Sequence, residues 1–234
     1  MNQIAQHLFQ VKERIAQAAE RASRNLQQIR LLAVSKTKPV EAIMAAHAAG
    51  QRCFGESYAQ EAAAKIDTLR QQPEEYSDIE WHFIGPLQSN KSKLVAERFD
   101  WVQSVDRDKL IDRLSNQRPT TMAPLNVCLQ INISGESSKS GTSEQEIFRL
   151  AEQVSQSERL VLRGLMAIPE HTSDESVLAA QMTRMQTLFT ELARQYPTVD
   201  TLSMGMTEDL ELAIAHGSTM VRVGTAIFGA RDYS

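Results

Sequence analysis

Apolar residues along this chain gather in short runs rich in β-forming types, and between the runs they recur at helical spacing. Eight runs stand out: Ile29 to Lys36, Arg52 to Ser57, Glu80 to Pro86, Trp101 to Asp106, Leu125 to Asn132, Leu162 to Pro169, Thr201 to Gly205 and Met220 to Gly229. Near-continuous apolar runs of this kind suit strands buried on both faces of a parallel sheet. Ahead of the first run, Ile4, Leu8, Val11 and Ile15 mark one face of an amphipathic helix over residues 2–25.

Stop and start signals separate the runs. Pro39 suits a first helical turn and Gly50 a helix end. Asp106 is placed to cap "RDKLIDRLSNQ", and Ser143 with Glu146 has capping-box spacing. Thr207, Glu208 and Asp209 put a cap and two acids before "LELAIAHG", which Gly217 ends. Alternating βα units imply a parallel sheet with right-handed crossovers. Eight units in 234 residues predict one α/β domain over 1–234, a closed (β/α)8 TIM barrel with an extra N-terminal helix. An open doubly wound sheet is the competing arrangement. It carries a Gly-rich phosphate loop after its first strand, where this chain has "VSKTKP" without glycine.

Composition narrows the function. Hydrophobic residues make up 42% and charged residues 23%, so a large core needs neither disulfides nor metal. A net charge of −4 leaves no broad basic field for nucleic acid or anionic lipid, and "NKSKLVAER" reads as a solvated helix face. Cys53 and Cys128 form no ligand cluster and read as buried free thiols in a reducing compartment. The polar N-terminus is unlike a signal peptide, and no window approaches the ~18 apolar residues of a membrane span. A cytoplasmic protein is expected. HExxH spacing is absent, no metal site is expected, and His82 reads as a hydrogen-bonded core histidine.

The chemistry is expected at the C-terminal ends of the strands. Lys36 lies at that end of the first run. It is either a rim lysine reaching solvent or a lysine whose partly desolvated amine attacks an aldehyde to form a Schiff base. Opposite it, "SMGMT" and "RVGTAIFG" follow the seventh and eighth strands, where barrels of this kind often hold a phosphate. Gly205 and Gly224 would let backbone N–H groups approach an anion, and Ser203 and Thr225 would add hydroxyls. Taken singly, the glycines are ordinary turn residues. Together with Lys36, the two loops suit a phosphorylated aldehyde, and pyridoxal 5′-phosphate is the commonest cofactor of that shape.

These motifs carry a family resemblance. "LLAVSKTKP", "WHFIGPLQSNK", "GLMAIP", "LSMGMTEDLELAI" and "GSTMVRVGTAIFGARDY" make nearly the whole chain similar to the pyridoxal phosphate homeostasis proteins, relatives of the alanine racemase barrel domain with fold-type III cofactor binding. The resemblance implies that Lys36 forms the internal aldimine and that Ser203, Gly224 and Thr225 bind the phosphate, with Gly205 as a helper. It also implies that Arg222 faces the pyridine nitrogen. One departure is Ser57 in "FGESY", where the family usually has asparagine. A cation beside the ring nitrogen disfavours its protonation and weakens the ring as an electron sink.

The racemases resembled carry an additional β domain whose tyrosine reaches the site, whereas this chain ends at Ser234. The expectation is therefore a non-catalytic monomeric protein that stores pyridoxal 5′-phosphate and delivers it, with apo-enzymes as recipients. A small amino-acid racemase is the alternative, and an aldolase acting on a phosphorylated sugar through Lys36 a weaker one. Several residues keep two readings. Met166, Met204 and Met206 either pack on the ring or fill core. Gln88, Asn90 and Lys91 lie where ligand contacts are possible. Glu56 and Glu61 define no paired-carboxylate site, and Lys139 in the 135–141 rim loop meets a second anion or solvent.

Overall fold

In the computed structural model, residues 3–135, 140–170, 172 and 174–230 are described. Eight parallel strands close into a barrel in sequence order: β1 (Arg30–Val34), β2 (Cys53–Glu56), β3 (Glu80–Phe83), β4 (Trp101–Val105), β5 (Leu125–Ile131), β6 (Leu160–Ala167), β7 (Thr201–Ser203) and β8 (Met220–Val223). The seam is the parallel pairing of β1 with β8, Arg30 against Met220 through Ala33 against Val223. The closed barrel settles the choice against an open sheet.

Helices alternate with the strands: α1 (Gln3–Arg21), α2 (Val40–Ala48), α3 (Ala59–Leu69), α4 (Pro73–Tyr76), α5 (Ser92–Ala96), α6 (Asp108–Gln117), α7 (Ile147–Ser155), α8 (Glu175–Gln195), α9 (Leu210–Ala215) and α10 (Thr225–Phe228). The outward strand positions and the inward helix faces form the main core, with Phe54, Phe83, Ile43, Ile66, Leu110 and Leu114 all fully buried. Covering helices bury both faces of every strand, so the strands read as apolar runs.

The N-terminal helix ends four residues short of the predicted 25, after which Ser23 takes a left-handed φ of 53° and Asn25 caps a short 3-10 turn. Its buried face, Leu8, Val11 and Ile15, packs the chain against α2, α9 and α10. Arg14 grips the β7–α9 connection with two bonds to Glu211, both 2.9 Å, and one to the Thr207 carbonyl, 3.0 Å.

Three local expectations give way. The last run is no strand to Gly229: β8 stops at Val223, and "TAIF" turns into α10 because Gly224 ends the ladder and its carbonyl accepts from Ile227 and Phe228. Asp106 and Ser143 provide no side-chain caps. Arg107 precedes α6 and takes Asp106 as an ion-pair partner, and Ser143 opens a 3-10 turn. Cys128 is buried as expected, but Cys53 is only half-buried because it starts β2 at the open N-terminal mouth. Gly50 and Gly217, with φ of 88° and 89°, do end their helices in the left-handed region. Among the described residues no helix is long and apolar enough to cross a membrane.

Candidate functional site

A cavity of about 560 Å³ opens at the C-terminal ends of the strands. Val34, Ile84 and Ile168 supply its apolar wall, and Lys36, Arg222, Gly224 and Thr225 meet in it. Four of the six residues predicted for the site therefore share one cavity. Glu170, Glu208 and Asp209 line its acidic side, and the last two are shared with a neighbouring depression of about 540 Å³ between α1, α8 and α9 that adds Glu175, Glu211 and Arg21 but reaches neither Lys36 nor Arg222.

Lys36 sits half-buried in the turn after β1, and its position is fixed from both sides. Ser35 Oγ donates to Glu56 Oε1 at 2.7 Å, and the Ser35 carbonyl accepts from Lys65 Nζ at 2.9 Å. On the other side, the Thr37 N–H donates to Glu61 Oε1 at 2.6 Å, which holds Thr37 at a left-handed φ of 62°. Lys65 Nζ joins the two carboxylates, 2.9 Å from Glu56 and 2.5 Å from Glu61. Burial pushes the Glu56 carboxyl up, against the pull of Lys65 and Ser35. Glu56 and Glu61 are thus the two jaws of a clamp on the Lys36 turn, bridged by a buried lysine that the sequence reading missed. The available signal was Lys65 four residues after Glu61 on one helix face, where a lysine normally reaches solvent. Lys38 points away, its Nζ donating to the Ala230 carbonyl.

Arg222 is 4% exposed and, among the described residues, forms no ion pair. Its Nη1 donates to the Ser203 carbonyl at 2.7 Å and to Ser203 Oγ at 2.9 Å, and its Nη2 donates to the Ala167 carbonyl at 2.9 Å. Of a guanidinium's five donors, those three bonds leave the Nε proton and one Nη2 proton. Burial pushes its pKa down to about 10, partly offset by the charge of Asp209, so it remains a cation at neutral pH. A buried guanidinium at a cavity wall with donors to spare fits a ligand that brings an acceptor.

Gly224 carries the chain past β1 so closely that a Cβ there would lie 3.1 Å from the Val34 carbonyl oxygen. Thr225, exposed, follows it into α10, whose first N–H groups have no intrahelical partner. Ser203 and Gly205 lie behind the cavity wall. The Ser203 hydroxyl is fully buried, accepts from Arg222 and donates to Gln103 Oε1 at 2.6 Å, so its proton is already engaged. Gly205, at φ 95°, is needed where α9 crosses: a Cβ would come within 2.4 Å of Ala213 Cβ. Its carbonyl accepts from the Arg222 N–H at 2.9 Å. Both residues place Arg222.

His82 is a buried, hydrogen-bonded core residue stacked on Trp101 at 4.9 Å between ring centroids. Met166 packs with Trp101 and Cys128, and Met204 lies in the main core, so both are filling. Met206 is the methionine at the cavity. Ser57 also lines the cavity, while Gln88, Asn90 and Lys91 do not. Lys139 lies outside the described residues. Cys53, Glu80 and His82 bring three ligand-type atoms within 4.8 Å of one another at the opposite mouth of the barrel. Arg30 donates to both Cys53 and Glu80, so a cation already holds that position.

Comparison with known proteins gives the same barrel and a narrower kinship. The model of the alanine racemase N-terminal domain matches residues 7–232. A pyridoxal phosphate homeostasis protein of Escherichia coli (strain K12) is 54% identical, covering 100% of this chain and 99% of its own length. Its namesake from Vibrio alginolyticus is 52% identical over the full length of both. Among solved structures, PipY of Synechococcus elongatus with pyridoxal phosphate bound is 36% identical, with a TM-score of 0.81 over 97% of this chain and 100% of its own. Shared sequence from end to end, on a barrel whose lysine and arginine open into one cavity, makes this chain a member of the pyridoxal phosphate homeostasis family, within the proteins built on the alanine racemase N-terminal domain.

Proposed function

We propose that this chain binds pyridoxal 5′-phosphate reversibly in the C-terminal cavity, as a cytoplasmic monomer that keeps the cofactor and hands it to apo-enzymes. One observation carries the reading: a clamped lysine and a buried guanidinium that forms no ion pair among the described residues converge with Gly224 and Thr225 on a cavity of about 560 Å³. When bound, the cofactor supplies an aldehyde that condenses with a primary amine, releasing water. Lys36 supplies that amine. Arg222 donates to the ring nitrogen, and Gly224, Thr225 and the first turn of α10 receive the phosphate. Ser203 and Gly205 act by holding Arg222. PipY, 36% identical and carrying pyridoxal phosphate, supports cofactor binding by this barrel.

Arg222 favours holding over turnover. A cation at the ring nitrogen opposes its protonation, so the ring withdraws less charge from a carbanion. The racemase alternative would have to work with that weaker charge withdrawal, and an aldolase acting on a sugar phosphate does not use the ring at all.

The test is a titration of the protein with pyridoxal 5′-phosphate followed by absorbance, borohydride reduction and peptide mapping. The label is expected on Lys36, and Lys36→Ala should remove both label and spectral change. A label on Lys38 or Lys91 would overturn the assignment. Separate incubation with L-amino acids should give neither racemisation nor keto acid, while loaded protein should restore an apo-enzyme dependent on the cofactor. Steady racemisation lost in Lys36→Ala would promote the racemase.

A further inference from the structure

The interior of this barrel is crossed by an unbroken line of polar side chains. Arg222 Nη1 donates to Ser203 Oγ at 2.9 Å, and Ser203 Oγ donates across the barrel to Gln103 Oε1 at 2.6 Å. Gln103 Nε2 lies 2.9 Å from His82 Nδ1, and His82 Nε2 lies 2.7 Å from Glu80 Oε1. Arg30 closes the line at the N-terminal mouth with an ion pair to Glu80. Gln103, His82 and Ser203 are each fully buried, whereas the Glu80 side chain is 33% exposed.

The protons in this line can be assigned from both ends. Burial pushes the Glu80 carboxyl up, but His82 and Arg30 outweigh it and keep it ionised, so Glu80 only accepts. His82 Nε2 must therefore carry a proton. Burial pushes the His82 pKa down, so the ring is neutral and its Nδ1 accepts from the Gln103 amide. From the other end, Arg222 can only donate. Ser203 accepts that bond and passes its own proton to the Gln103 carbonyl. The second Gln103 N–H meets Met220 Sδ at 3.2 Å, which completes the amide. Both directions give one arrangement, in which each donor points towards Glu80.

An ionised guanidinium buried without a directly bonded carboxylate is costly, and carbonyl dipoles with the more distant charge of Asp209 compensate it only in part. A chain of bonds polarised towards one anion extends that compensation across the barrel, because each bond strengthens the next. We propose that Gln103, His82 and Glu80 are positioning residues of the cofactor site, with Glu80 at the opposite mouth serving as the remote counter-ion that fixes Arg222 against the ring nitrogen. The proposal rests on the reading of Arg222 as the partner of that nitrogen.

The experiment compares binding of pyridoxal 5′-phosphate with binding of its 1-deaza analogue, in which C–H replaces the ring nitrogen. Wild-type protein should prefer the natural cofactor. Gln103→Leu should weaken the natural cofactor roughly tenfold and the analogue less than about twofold, a loss of selectivity of at least about fivefold in Kd. Glu80→Gln should shift selectivity the same way by a smaller factor. It serves as the second variant where Gln103→Leu does not fold. Independently of any cofactor, ¹⁵N spectra should show His82 neutral with the proton on Nε2, and Glu80→Gln should redistribute that proton. Equal losses for both probes would make Gln103 merely structural and overturn the proposal, as would a His82 proton on Nδ1. A wild-type protein that binds both probes equally would remove Arg222 from the nitrogen and the proposal with it. Binding of neither probe would defeat the function itself.

Discussion

Replacing Lys65 by methionine removes the cation that closes the clamp beneath Lys36. The lysine side chain is 8% exposed, and Methionine keeps most of its volume, so the perturbation is chiefly electrostatic. It leaves Glu56, fully buried, with only the Ser35 hydroxyl on Oε1 and no partner on Oε2. Removing one member of a buried ion pair costs about 3–5 kcal/mol, because the remaining charge loses its compensation. For a chain of this length each kcal/mol moves Tm by about 2–4 °C, so a fall of roughly 6–20 °C is expected. Glu56→Leu in the same chain removes the stranded charge. Glu61, a third exposed, can then rely on water. The double variant should therefore be more stable than Lys65→Met alone, leaving a residual cost of about 1–3 kcal/mol from the Ser35 groups that lose partners. Urea unfolding of the two single variants and the double measures the coupling directly. Affinity for pyridoxal 5′-phosphate gives a second reading: it should fall in Lys65→Met and stay low in the double variant, because the Ser35 carbonyl remains unanchored. Strictly additive stabilities, or a Lys65→Met variant within about 1 kcal/mol of wild type, would refute a charge-compensated clamp.

Against the upward push of burial, bonds from His82 and Arg30 hold the Glu80 carboxyl well below its ordinary 4.5, so its stabilisation is present above pH 4.5 and is lost as pH falls below that value. The stability gap between wild type and Glu80→Gln in urea should narrow as it falls, and a constant gap would contradict the assignment. Gly164 holds φ 149°, and a Cβ there would lie 1.8 Å from the Thr201 carbonyl oxygen of the adjacent strand. Gly164→Ala should therefore cost more than about 4 kcal/mol in unfolding experiments, and a loss under about 1 kcal/mol would mean the strands can separate cheaply. Pyridoxal lacking its phosphate should bind at least tenfold more weakly, since each charge-assisted bond lost is worth about 1.5–3 kcal/mol. Equal affinity by absorbance titration would take the phosphate away from Gly224 and Thr225.

How much of this was legible in the sequence depended on range. The eight strands were, because a parallel barrel buries both faces and leaves an apolar signature in each run. Lys36, Arg222, Gly224 and Thr225 sit at strand ends, so strand order alone brings them together. "TAIF" suits a strand as well as one helical turn, with three apolar residues after a threonine, and only the Gly224 carbonyl bonds decide. The bond from Ser203 to Gln103 has no sequence signal: a hydroxyl's target depends on what lies across the barrel, here a residue a hundred positions earlier. The interior line had one faint signal, Glu80 and His82 two residues apart on the same face of β3. Its other members come from β1, β4, β7 and β8, and no local pattern ties them.

Barrels of this architecture commonly divide their labour, with stability built at the N-terminal mouth and chemistry at the C-terminal one. In the proposed arrangement, the line from Arg30 to Arg222 erases that division. Residues that a mutational scan would file under fold maintenance become part of the ligand's environment, and Glu80, His82, Gln103, Ser203 and Arg222 form one unit of inheritance. Exchanging any one for an apolar residue strands its neighbours, so drift at these five positions should proceed by joint replacement. Grafting this cavity onto another barrel would require transplanting the axis of the donor along with its rim.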